Sequence, residues 1–187
     1  MKSLEDIKKS LSEERPAAWN ALPDIDLYMD QVLGYIRRQL FSSRPESSVT
    51  AAMVNNYIRD GILPRTNDKK YSREHIAKLT TICMIKQVLS VGDIAILFQL
   101  FSPDSIQQIY EKHRETLDNE LASVLENVPD DGDEQILADA IMRFAIISYA
   151  NKVAAEYIID MIKKQRDEEK EKTKEVKPKE VKGKVKG

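Results

Sequence analysis

The chain has 187 residues, 42% apolar, 32% charged and only 6% aromatic, with a net charge of −2. That length suits one domain with an appendage, and six glycines and seven prolines are too few for a turn-rich sandwich or barrel. One cysteine, Cys83, and two histidines, His75 and His113, exclude a disulfide framework and a zinc cluster built within one chain.

The opening MKSLEDIKKSLSEERP is charged throughout and lacks the apolar core of a signal peptide. The densest apolar stretch, 136–150, carries Asp139 and Arg143 and falls short of the roughly 20 residues that a bilayer span needs. The expectation is a cytoplasmic, mainly α-helical protein with no membrane segment.

The first predicted helix covers about 3–14, with Leu4, Ile7 and Leu11 on one side and Pro16 closing it. Asp24 is a suitable N-cap for a helix over about 25–40, whose apolar set is Leu27, Tyr28, Val32, Tyr35, Ile36 and Leu40. FSSRPESS (41–48) reads as a loop. Thr50 caps a short helix running to Asp60, and Gly61 suits the position that ends it. LPRTNDKK (63–70) has no helical pattern and holds Asn67-Asp68, so a tight hairpin or wing is predicted. Ser72 caps a helix with Ile76, Leu79, Ile82, Cys83, Ile85 and Leu89, and Ser90 caps another over about 91–100. Ser102-Pro103 starts a fifth helix to about Asn127. After the turn PDDGD (129–133), a long helix is expected from Glu134 to Lys164, followed by a disordered Lys/Glu-rich tail.

Charge is segregated along this order. Residues 50–80 carry six basic side chains (Arg59, Arg65, Lys69, Lys70, Arg73, Lys78) against three acidic ones (Asp60, Asp68, Glu74). Residues 102–162 hold four basic side chains against thirteen acidic, whereas from Lys163 onward there are eleven basic against six. A polyanion is repelled by the acidic middle and not by 50–80.

In AAMVNNYIRD (51–60), Val54, Tyr57 and Ile58 share one face, and Asn55, Asn56 and Arg59 lie opposite. Such a face suits the major groove: Asn pairs bidentately with adenine, and Arg with guanine or a phosphate. Arg65, Lys69 and Lys70 on the wing, then Arg73 and Lys78 on the next helix, are placed to neutralise backbone phosphates.

These stretches resemble the MerR family of bacterial regulators. That family reads roughly T-[IL]-R-Y-Y-E-x-x-G-L-L-x-P, then a wing, then Y-[ST]-x-x-D-L-x-R-L-x-x-I and G-[FY]-S-L-x-E-I. The matching segments are MVNNYIRDGILPR (53–65), YSREHIAKLTTI (71–82) and VLSVGDI (88–94). Tyr57, Gly61, Ile62, Leu63, Tyr71, Ser72, Leu79, Ile82, Ser90 and Ile94 fall at pattern positions. Asn55 and Asn56 stand where the family has Arg and Tyr, and Ile58 where it has Glu. LPDIDLYMDQVLGYIRRQL (22–40) resembles an uncharacterised family of Gram-positive bacterial proteins, domain of unknown function family 1836.

The resemblance implies a mainly α fold: an N-terminal helical extension (1–23), a MerR-like winged helix-turn-helix domain with a small wing (24–101), a C-terminal helical hairpin or bundle for association (102–165), and the tail (166–187). It implies a DNA-binding transcription regulator on double-stranded DNA. The candidate contact set is Thr50, Asn55, Asn56, Tyr57, Arg59, Arg65, Lys69, Lys70, Tyr71 and Arg73. Tyr57 and Tyr71 are expected to pack their rings and keep their hydroxyls at the surface.

His75 is expected in solvent and Cys83 in the core. No nucleophile, base and orienting group converge, so no enzyme, cofactor or metal is expected. ILADAIMRFAIISY (136–149) is apolar on more than one face, which points to a homodimer through the C-terminal helices. The alternative is a winged protein-interaction or adaptor module without DNA binding.

Overall fold

The computed structural model describes residues 3–39, 49–102 and 106–175. It is mainly helical, with one small sheet. In chain order come α1 (Leu4–Glu13), a single 3-10 turn (Trp19–Ala21), β1 (Leu27–Tyr28), α2 (Met29–Gln39), α3 (Ala51–Arg59), β2 (Lys70–Tyr71), α4 (Arg73–Ile85), α5 (Val91–Phe98), α6 (Ile106–Leu125) and α7 (Glu134–Glu175).

The core gathers on α4. Ile76, Ala77, Leu79, Thr80, Thr81, Ile82 and Cys83 are all buried along it, so this helix is covered on most sides instead of presenting one stripe. Thr80 and Thr81 satisfy their hydroxyls by donating to the carbonyls of Ile76 and Ala77 one turn back. Around α4 lie Val32 and Ile36 of α2, Val54 and Tyr57 of α3, Ile94 and Phe98 of α5, and Tyr110 of α6. Leu22, Leu27, Val49, Ile62 and Leu63 seal the gaps between the helices.

The N-terminal segment is tied to α6. α1 starts with a capping box, the Asp6 amide donating to Ser3 Oγ and the Ser3 amide to Asp6 Oδ2. The Tyr110 hydroxyl then donates to the Ala17 carbonyl at 2.8 Å, Arg114 donates to the Pro16 carbonyl at 2.9 Å, and the Trp19 amide donates to Glu111 at 2.7 Å. Arg15 pairs with Asp118, and Lys8 with Asp130.

Three expectations need correction. The second helix starts at Met29, not beside Asp24, because Leu27 and Tyr28 are extended and pair antiparallel with Tyr71 and Lys70. The Tyr28 amide is capped instead by Gln31 Oε1 at 2.9 Å. The wing closes a tight turn at Asn67–Lys70, but its strand partner is β1, which lies before α2 in the chain. The tail expected from 166 is helical as far as Glu175, where Glu, Lys and Arg are good helix formers and Lys170 pairs with Asp167 at 3.1 Å. The expected loop at 41–48, the residues just after Ser102 and the last part of the tail lie outside the described residues.

Among the described residues, no helix is long and apolar enough to cross a membrane, and no cluster of His, Cys, Asp or Glu could hold a metal ion.

Candidate nucleic-acid interface

α3 is short and closed at both ends. Thr50 Oγ1 accepts from the Met53 amide at 3.3 Å, which satisfies one of the helix's free donors. At the other end the Ile62 amide donates to the Tyr57 carbonyl at 2.9 Å and the Gly61 amide to Ile58 at 3.2 Å, with Gly61 at φ 71°. This is a Schellman ending, which needs a left-handed residue and uses glycine for it. Its apolar contact is present too, as Ile62 and Tyr57 are both buried.

With both ends fixed, α3 turns Val54 and Tyr57 into the core and leaves Ala52, Asn55, Asn56 and Arg59 in solvent. Those four positions are three or four residues apart, so they form one ridge along the helix. Arg59 is held by its neighbour: its Nε donates to Asp60 Oδ1 at 2.9 Å, and a second donor lies 3.4 Å from Oδ2. Thr50 is exposed beside the first turn, but its hydroxyl already serves as the cap.

The turn after α3 carries the next cations. Asp68 and Lys69 have φ of 48° and 59°, and the Lys70 amide donates to the Asn67 carbonyl at 2.9 Å. Two consecutive left-handed residues match a type I′ turn, which holds Lys69 out in solvent. Arg65 is exposed on the approach to this turn. Lys70 is half-buried, its ammonium 5.6 Å from the centre of the Tyr28 ring. Tyr28 is an exposed aromatic that the sequence reading assigned to a helix face, and only the β1 pairing places it here.

Other members of the expected set face inward. Tyr57 and Tyr71 are 2% and 3% exposed, and burial raises the pKa of both, so they are core residues and not groove contacts. Arg73 donates to the Pro23 carbonyl at 3.3 Å and lies over the Trp19 ring, which ties it to the N-terminal segment. Lys78 sits 4.7 Å from the Phe98 ring centre, and burial lowers its pKa.

His75, expected in solvent, is 8% exposed. Its Nδ1 accepts from the Ser72 amide at 3.2 Å and sits 2.8 Å from Ser72 Oγ, so the histidine itself helps close the start of α4. The Pro64 and Arg65 carbonyls lie near the ring, and Nε2 is buried with no hydrogen-bond partner. Burial pushes the ring's pKa down, and those carbonyls only partly oppose it. Cys83 is buried, its thiol pushed up to about 11, which removes it from nucleophilic chemistry.

The site is therefore narrower than the charge count suggests: a ridge of Asn55, Asn56 and Arg59, then a turn presenting Arg65, Lys69 and Lys70. The molecule carrying it is a mainly helical protein with a two-stranded sheet that bridges the segments before α2 and after the turn. Residues 17–116, more than half of the chain, match the family described as "Domain of unknown function (DUF1836)", and the chain belongs to that family. The match takes in β1 to α5 and part of α6, and so the whole ridge and turn, but not α7. Comparison with curated proteins and with solved structures gave no match.

Proposed function

We propose that the protein is a DNA-binding transcription regulator of the MerR-like winged helix-turn-helix kind, acting in the cytoplasm as a homodimer. α3 enters the major groove, where Asn55 and Asn56 meet base edges and Arg59 exchanges Asp60 for a base or a phosphate. Arg65, Lys69 and Lys70 lie along the backbone and set the register. The observation that carries this reading is the solvent-exposed Asn55–Asn56–Arg59 ridge, followed within one turn by exposed cations. One ridge alone covers too little surface for specific binding, which favours two copies reading two half-sites.

A mobility-shift assay with genomic fragments across a salt series tests it. Binding at low salt that weakens steeply as salt rises is expected, with the Lys69→Ala/Lys70→Ala variant losing about two from the salt slope. Absence of any binding at low salt overturns the reading. The exposed apolar surface of α7 favours a second reading, an adaptor that grips another protein. Stable co-purification of a partner together with no DNA binding would support it.

A further inference from the structure

α4 carries a glutamate and a lysine one turn apart on the same side, Glu74 and Lys78. With the glutamate first, that spacing ordinarily lets a carboxylate and an ammonium meet on a helix surface. Here the two do not pair. Lys78 instead holds its ammonium over the Phe98 ring, 4.7 Å from the centre, and among the described residues no carboxylate pairs with it. The side chain is half-buried, so water solvates its charge only in part, and burial lowers its pKa. Glu74, one turn earlier, is exposed.

Both side chains border one cavity of about 350 Å³, between α4 and the corner from α5 to α6. The facing wall is apolar. Phe98 ends α5, Phe101 follows it, and Ile106 and Ile109 come from the first turn of α6. Phe101 packs edge to face against Phe98, ring centres 6.4 Å apart, and against His113 at 6.0 Å, so the aromatic wall is held in place. At about 30 Å³ each, as for water in the liquid, the cavity takes roughly a dozen non-hydrogen atoms.

Two separate opposite charges beside an apolar wall match a zwitterion with an apolar body. We infer that this cavity binds a free α-amino acid with a large apolar side chain, of the size of leucine or phenylalanine. Its carboxylate meets Lys78, its ammonium meets Glu74, and its side chain lies against Phe98, Phe101, Ile106 and Ile109. The spans agree: Cβ atoms at this spacing stand about 5–6 Å apart. The two charged groups of an α-amino acid, joined through one carbon, bridge that gap with a hydrogen bond of about 2.8 Å at each end. A simple carboxylic acid satisfies Lys78 but sets a second negative charge near Glu74, and a simple amine sets a second positive charge near Lys78. A sugar phosphate brings more charge than one lysine offsets and leaves the four apolar side chains unmatched. The inference does not rest on DNA binding, and its tests contain no DNA.

Isothermal titration calorimetry of the full chain with L-phenylalanine and L-leucine tests it. Three partial ligands serve as controls: 3-phenylpropionate lacks the ammonium, phenethylamine the carboxylate and glycine the side chain. Saturable one-site binding of an apolar amino acid is expected, with each partial ligand at least roughly tenfold weaker. Lys78→Met keeps an apolar stem beside Phe98, removes the ammonium and should weaken amino-acid binding roughly tenfold or more. Glu74→Gln should weaken it by a similar factor and remove the preference for L-phenylalanine over 3-phenylpropionate. Glu74 is exposed, so this variant keeps the fold and decides the matter even where Lys78→Met does not fold. No saturation by either amino acid up to about 10 mM overturns the inference. Equal affinity for L-phenylalanine and 3-phenylpropionate in the parent does so too, as does unchanged affinity and preference in Glu74→Gln.

Discussion

Lys69 occupies a backbone conformation that an L-residue with a long side chain rarely takes, at φ 59° in the second of two left-handed positions. A type I′ turn prefers glycine there. A strained cation at an exposed turn tip fits the phosphate contact proposed for it. Lys69→Gly is therefore expected to raise stability by about 0.5–1 kcal/mol, net of glycine's greater freedom when unfolded, and to weaken DNA binding at the same time. Chemical denaturation and mobility shifts on one variant read both signs, and a loss of stability would show that Lys69 serves the fold. His75 is a second residue whose environment has a measurable consequence. Its folded pKa lies below the ordinary 6.5, so between those two values the unfolded chain binds the extra proton. Stability contributed by the neutral, buried ring is complete above about 6.5 and is lost as pH falls toward the folded pKa. Burial lowers the His113 pKa as well, so both histidines act in the same direction. The denaturation midpoint should fall from pH 7.5 to pH 5.5, and an NMR titration placing His75 at or above 6.5 would contradict its burial.

α3 shows how differently a helix's two faces respond to substitution. Asn55 and Asn56 contribute nothing to the core and are poor helix formers in mid-helix. Asn55→Ala/Asn56→Ala should leave thermal stability unchanged or raise it by roughly 1 kcal/mol, while removing preference for a specific site and sparing salt-dependent binding to any duplex. Thermal melts, with competition between specific and unrelated fragments, separate these effects. α3 itself was legible in the sequence, since Thr50, the Val54/Tyr57 spacing and Gly61 each mark it through local chemistry. The ridge was legible for the same reason, because a helix with one apolar face must expose the other. What was not legible depends on contacts between distant segments. Nothing near Leu27 and Tyr28 announces a strand, because their partners Tyr71 and Lys70 lie beyond two helices. The inward turn of Arg73 likewise depends on Pro23 and Trp19 lying next to it in space, and helical periodicity carries no trace of that. His75 looked exposed because it lies in a first turn, but Tyr71, its ring centre 5.7 Å away, and the Pro64–Arg65 segment cover it.

At the scale of the whole molecule, the proposed function makes the ridge and the long helix depend on each other. A single α3 ridge and turn offer few cations to a duplex, and the acidic 102–162 segment opposes approach. Joining two copies through α7 makes the second ridge's encounter with DNA intramolecular, which raises affinity for paired half-sites without any new contact. Tyr149→Lys/Tyr157→Lys separates that effect from charge, because both tyrosines stand exposed on α7 and the core does not include them. It makes the chain more cationic, so simple attraction to DNA predicts tighter binding, whereas loss of the dimer predicts weaker binding to a paired site. Loss by roughly tenfold is the expected outcome, with affinity for unrelated duplex unchanged or slightly increased. Mobility shifts of the parent and this variant on one fragment at one salt concentration decide the matter. Equal affinity of the two for that fragment would mean that each ridge reads DNA alone and that α7 serves something else.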